Sequence, residues 1–341
     1  MHAVLNFLRR SPMSVASTVI FLVAAVWTCF NVHRWKDREI LQWDTDGYYL
    51  YLPAALIHGD LFHLEFLDRV EPNHFNGGYA FGQGRPWVPA TGRYCNKYPM
   101  GTAVFELPFF LVAHAWCLSS AGSTADGYSA PYQLAVALSS AVWAWLGLLV
   151  LVRFLRRRVD DAPAAIALLV LGLGTNLFFY CSLAQGMSHP VLFLLCALLI
   201  DRTDAWYNRP ALGKALAIGV CIGLALLCRP TAVLLALVPL CWSLGRSGLR
   251  TLATHWRQLA AAVGVAALCG LPQAIYWKAA TGHFLFYSYG EESFDFMHPH
   301  VPEGLFGFRK GWFVYTPAAL IALAGLVPMW RSGEATGASR S

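Results

Sequence analysis

The residues best equipped for chemistry stand in the segment Trp43-Asp44-Thr45-Asp46-Gly47-Tyr48-Tyr49-Leu50-Tyr51-Leu52-Pro53. On an extended chain, two carboxylates at i and i+2 face the same way. Asp44 and Asp46 could then share a divalent cation such as Mg or Mn, or share a proton, or one could act as base while the other tunes it. Gly47 allows a ligand or a backbone to approach closely. The tyrosines that follow suit a helix lying at the level of lipid headgroups. The plainer alternative is that Asp46 caps that helix and the tyrosines anchor it.

Four further clusters carry unusual polar groups. In Cys95-Asn96-Lys97-Tyr98-Pro99-Met100-Gly101, a Lys97 held at a bilayer surface is a natural partner for a lipid phosphate, or else simply snorkels. In the turn Gln185-Gly186-Met187-Ser188-His189-Pro190, His189 can donate to a phosphate oxygen or position an acceptor; a capping role is the alternative. Arg229, before Pro230, closes an apolar run at 212–228 and needs a partner there, either an anionic ligand or a group of the protein itself. The richest stretch runs from Tyr276-Trp277-Lys278 through Tyr289, Glu291 and His298-Pro299-His300 to Arg309-Lys310. Aromatic faces interleaved with carboxylates suit sugar recognition, and Arg309 with Lys310 could clamp a phosphate. The pair His298 and His300 lacks a third metal ligand at fixed spacing. The alternative for this stretch is a cap over a helical bundle.

What must position these groups is a membrane-embedded scaffold. Of 341 residues, 57% are hydrophobic and 13% charged, about half the ~25% charge of soluble domains. Mean hydropathy is +0.48. So few charges cannot cover a water-facing surface, which excludes a string of soluble domains. The formal charge of +6, from 25 Lys and Arg against 19 Asp and Glu, is too small and scattered for a nucleic-acid partner. Most of the nine cysteines lie in or beside apolar runs and none forms a C-x-x-C pair, so no disulfide framework is expected.

Apolar runs occur at 13–32, 131–152, 163–181, 191–200, 212–228, 231–244, 259–277 and 313–330, and a further run at 101–119 carries Glu106, Pro108 and His114. A span needs ~20 residues, with ~17 at the short end, so the runs at 191–200 and 231–244 are short. If 101–119 lies at the interface or re-enters, Arg153, Arg156, Arg157, Arg158, Arg202, Arg209 and Lys214 all fall on the cytoplasmic side, as the positive-inside rule asks. The expectation is therefore an all-α polytopic protein of the inner (plasma) membrane, with about eight transmembrane helices plus interfacial helices. The first run is an uncleaved anchor with its amino end in the cytoplasm. Residues 1–330 form one domain, with outer loops at 33–130 and 278–312 and a disordered cytoplasmic tail at 331–341.

In this order and on one side of the membrane, the motifs resemble those of the GT-C superfamily of integral-membrane glycosyltransferases. The nearest members are of the protein O-mannosyltransferase and aminoarabinose-transferase type, and the similarity covers most of 14–330. It implies a GT-C-like helical bundle that transfers a sugar from a polyprenyl-phosphate donor to an acceptor (protein, glycan or lipid) at the outer face. It also implies Asp46, and after it Asp44, as base for the acceptor hydroxyl. Lys97, Arg229, Arg309 and Lys310 would neutralise the departing phosphate. The acidic motif here is Asp-Gly rather than adjacent acids, which leaves metal dependence open. A transporter or flippase for a lipid-linked sugar, or a non-catalytic envelope-polysaccharide assembly protein, would use similar features. The catalytic reading expects Asp46→Asn to abolish transfer without lowering membrane abundance, and all five clusters to meet at one lipid-accessible pocket.

Overall fold

The computed structural model describes residues 10–70, 84–243, 246–288, 295, 297–309 and 311–331. The chain runs α1 (Pro12–Val32), α2 (Trp43–Tyr49), α3 (Tyr51–Leu56), α4 (Leu67–Val70), β1 (Trp87–Val88), β2 (Arg93–Tyr94), α5 (Gly101–Ser119), α6 (Ala130–Leu155), α7 (Asp161–Leu173) and α8 (Asn176–Ser182). It continues through α9 (His189–Asn208), α10 (Leu212–Cys228), a 3-10 turn at Pro230–Ala236, α11 (Leu237–Cys241), α12 (Arg246–Thr254) and α13 (Trp256–Thr281). Short helices α14 (Val301–Phe306) and α15 (Trp312–Tyr315) precede α16 (Ala318–Arg331). Among the described residues the strands form one antiparallel ribbon, with Trp87 opposite Tyr94 and Val88 opposite Arg93.

Among the described residues four helices, α1, α5, α6 and α13, are long and apolar enough to cross a membrane, and α7 with α8 makes a fifth if the pair, bent by 57°, is one span. Their outward faces carry large apolar side chains such as Val23 and Trp27 on α1 and Val263 and Ile275 on α13. Exposed residues of that kind over several helical turns need lipid around them.

Several runs fold differently from their sequence reading. The run at 163–181 breaks at Gly174-Thr175, where the Thr175 hydroxyl accepts the Leu177 N–H (3.2 Å) and starts α8 afresh. The run at 191–200 is no short helix. It lies inside a 20-residue α9 that continues through Asp201, Arg202 and Asp204 because arginines from α6 and its end meet those carboxylates. Arg157 Nη2 reaches Asp201 Oδ1 (2.7 Å) and Asp204 Oδ2 (3.2 Å), and Arg158 pairs with Asp204. Residues 230–241 split into a 3-10 turn and a short helix, with Pro230 at the start of the first and Pro239 inside the second. The expected interfacial run becomes α5, which meets the length and hydropathy of a span.

Contacts fix the direction of each helix. The carboxamide oxygen of Gln133, early in α6, accepts the N–H groups of Ile40 (3.0 Å) and Leu41 (2.9 Å), just after α1. At the other end Arg156 Nε donates to Ser11 Oγ (3.1 Å), at the start of α1. The two helices are therefore antiparallel. One end of the bundle gathers the arginines and Asp161, Asp201 and Asp204; the other receives 33–100. Helix α5 enters beside Trp143, whose indole donates to the Phe105 carbonyl (3.1 Å), and leaves beside Tyr132, whose hydroxyl meets His114 Nδ1 (2.6 Å). Trp143 is eleven residues further along α6 than Tyr132, about 16 Å. The chain thus dips toward the middle of the bundle and climbs back to the end it came from.

Asp161 ties the arginine-rich end together. Its carboxylate accepts the N–H of Met13 (2.8 Å) and the hydroxyl of Ser14 (2.6 Å), so it caps α1 from another helix. Asp161→Ala is expected to lower stability by about 1 kcal/mol, the usual loss on removing an N-cap, read as a lower melting temperature in detergent.

Candidate functional site

At the opposite end, α2 is a single seven-residue helix. Thr45 organises its start: its hydroxyl donates to the Ile40 carbonyl (2.6 Å) and accepts the Gln42 N–H (3.3 Å). Helical backbone overturns one sequence expectation. Residues two apart on a helix point about 200° apart, so Asp44 and Asp46 diverge rather than share a ligand. Asp44 Oδ1 accepts the Tyr98 hydroxyl (2.6 Å). Asp46 turns the other way and forms a buried ion pair between its Oδ2 and Nη2 of Arg85. Its Oδ1 is buried and has no hydrogen-bond partner among the described residues.

Arg85 did not figure in the sequence reading, and the ribbon explains how it arrives. Beyond β1 and β2 the same register persists: the Cys95 N–H donates to the Pro86 carbonyl (3.0 Å) and the Lys97 N–H to the Gly84 carbonyl (2.9 Å). Arg85 and Asn96 are therefore opposite one another. Both reach α2, Arg85 to Asp46 and the Asn96 amide to the Gly47 carbonyl (2.7 Å). Gly47 is required here, since a Cβ on it would lie 2.0 Å from the Tyr98 ring. The far end of the ribbon is pinned to the last turn of α13, with Arg93 donating to the Ala279 carbonyl (2.6 Å) and Thr91 to that of Ala280 (2.5 Å).

Lys97 is buried, and its carbonyl accepts the Ser288 hydroxyl (2.7 Å). Burial pushes the neighbouring Cys95 thiol up to about 12, so it stays protonated and is no nucleophile. Desolvation likewise drives the Arg85 guanidinium down from its ordinary range and the Tyr49 phenol up.

The turn before α9 joins from below. Gly186, at φ +80°, abuts Thr45 and Val136, and its N–H donates to Ser140 Oγ (2.9 Å). Gln185 Oε1 and Ser188 Oγ, on either side of it, are buried with no hydrogen-bond partner among the described residues. His189 stacks on Tyr180 with ring centroids 3.8 Å apart and planes 4° apart. Half-buried Arg229 follows Cys228, against whose backbone Gly101 packs. Contacts thus run from Tyr98 to Gly47, from Thr45 to Gly186, and from Gly101 to Cys228, which links the segments that carry Asp44, Asp46, Lys97, His189 and Arg229.

The last cluster is only partly there. Lys278 donates to the Gly282 carbonyl (2.5 Å) and sits over the Phe284 ring, a helix-closing role. His298 pairs with Asp295 (3.0 Å) and His300 lies near Glu303 (4.0 Å). Arg309 is exposed, and no hydrogen bond or ion pair among the described residues ties it to Asp46, Lys97 or Arg229. Tyr289, Glu291 and Lys310, and the tail at 332–341, lie outside the described residues.

Nor do the carboxylates suit a divalent cation. Asp46 already faces a guanidinium, Asp44 accepts from a tyrosine, and no group of three or more His, Cys, Asp or Glu side chains gathers among the described residues. A separate cavity of 760 Å³ opens between α5 and α6, lined by Pro108, Phe109, Val112, Trp116, Leu134 and Trp35. Its walls are largely apolar, and it lies on the other side of α5 from Phe110, whose ring packs against Tyr49. Compared with protein-family models, with curated proteins and with solved structures, the chain matches none.

Proposed function

We propose that this protein is a glycosyltransferase that takes a sugar from a polyprenyl-phosphate donor and passes it to an acceptor at the outer face of the plasma membrane. The observation that carries the reading is Asp46: a buried carboxylate with one oxygen on a guanidinium and the other without a hydrogen-bond partner among the described residues. An unpartnered carboxylate oxygen can take a proton from an acceptor hydroxyl, which is worth ~10²–10⁴-fold as general-base help. Lys97, His189 and Arg229, on neighbouring segments, address the donor phosphate. Charge grows on that phosphate as the glycosyl bond breaks, so fixed cations hold it more strongly in the transition state than before it. The apolar cavity beside α5 suits an isoprenoid or acyl chain. Eight crossings with α5 re-entering would put this end of the bundle outside and the arginine-rich end in the cytoplasm.

One observation favours transport instead. Glu106 on α5 is buried, and its Oε2 has no hydrogen-bond partner among the described residues; ionisable groups within the bilayer commonly mark a translocation path. Purified protein incubated with radiolabelled polyprenyl-phosphate sugars separates the two. Transfer predicts label leaving the lipid. Label that stays on lipid and crosses the vesicle wall, with loss in Glu106→Gln, would establish the transporter.

A further inference from the structure

Resting on that reading, we infer that Arg85 is a second phosphate ligand which the resting protein holds on its own base, so that donor phosphate and Asp46 compete for one guanidinium. Both members of the pair are buried, with side chains 3% and 5% exposed. Pairing in a desolvated site is strong, yet a carboxylate paired to a cation is a poor proton acceptor. Asp46 is a weakened base while Arg85 holds its Oδ2, and a phosphate is an anion well matched to a planar guanidinium fork.

The geometry supplies both the site and its means of coupling. Arg85 is carried opposite Asn96, whose amide bonds the Gly47 carbonyl beside Asp46, so the ribbon fixes the guanidinium against α2. The same ribbon is bonded to Ala279 and Ala280 at the end of α13 and, through Lys97, to Ser288. Arrival of a phosphate at Arg85 would draw the guanidinium off Oδ2 and leave Asp46 ionised beside the acceptor hydroxyl. No covalent step is involved; one ion pair is exchanged for another.

Competition makes an opposite-sign prediction for the two partners. Full-length protein in nanodiscs would be titrated with farnesyl phosphate, farnesol and inorganic phosphate. Arg85→Gln should weaken farnesyl phosphate at least about tenfold, and Asp46→Asn should tighten it by a similar factor, the worth of one charge-assisted hydrogen bond. Farnesol affinity should move in neither. Arg85→Lys, which keeps the charge without the fork, should fall between wild type and Arg85→Gln, and carries the test if the other variants are not recovered folded. Wild type that prefers farnesyl phosphate over farnesol, with variants that bind as it does, would overturn the exchange and leave the transferase reading intact. No preference for farnesyl phosphate in wild type would remove both. Inorganic phosphate binding as tightly as the lipid would keep the exchange and overturn the lipid-linked donor.

Discussion

Asp46→Asn is expected to lose sugar transfer by ~10²–10⁴-fold, the range for a removed general base, and to lose stability as well. The sequence alone suggested a substitution silent for folding. The buried pair with Arg85 changes that expectation, because asparagine keeps the shape but leaves a desolvated guanidinium without its counter-charge. Removing one partner of such a pair costs about 3–5 kcal/mol. The double variant Asp46→Asn with Arg85→Gln discharges both sides, and should recover most of the melting temperature while recovering none of the transfer. That pattern separates chemistry from packing. Transfer that survives in the double variant would remove Asp46 from the reaction, however stable the protein is.

How much of this was legible in the sequence depends on the range of the interaction involved. Apolar runs and basic groups could be read locally, and so the helices and their two-ended polarity were anticipated around α1, α6 and α13. The Asp44–Gly47 segment stood out because short-range composition marks it. Its geometry did not: whether i and i+2 face together depends on helix against strand, and only the Thr45 bonds that start α2 decide this. Arg85 was invisible for a different reason. It lies in Gly84-Arg85-Pro86-Trp87, with no periodicity of its own, and it reaches Asp46 only because the register of the β1–β2 ribbon runs on past both strands. An arginine flanked by Gly and Pro, paired by count with the conspicuous Asn96-Lys97, was the available signal. The length of α9 was hidden likewise, since charges at Asp201 and Asp204 read as a helix end until Arg157 and Arg158 neutralise them.

Gly101→Ala is expected to damage the site although it adds only a single methyl group. A Cβ there would lie 2.4 Å from the backbone nitrogen of Cys228 and from the carbonyl carbon of Leu227. Backbone cannot swing aside as a side chain can, so either α5 or the end of α10 must shift. Overpacking of this kind costs typically 1–3 kcal/mol, and the displacement falls where it matters. Gly101 follows Lys97-Tyr98-Pro99-Met100, and Cys228 precedes Arg229, so the substitution pushes two proposed phosphate ligands apart without altering either. Stability and transfer should therefore fall together, with donor affinity reduced more than turnover. Gly264→Ala in α13 is the control, because nothing lies within 4 Å of its added Cβ and alanine is the better helix former. It should melt no lower than wild type and transfer sugar normally. Equal behaviour of the two variants would mean that the α5–α10 contact does not hold the site together.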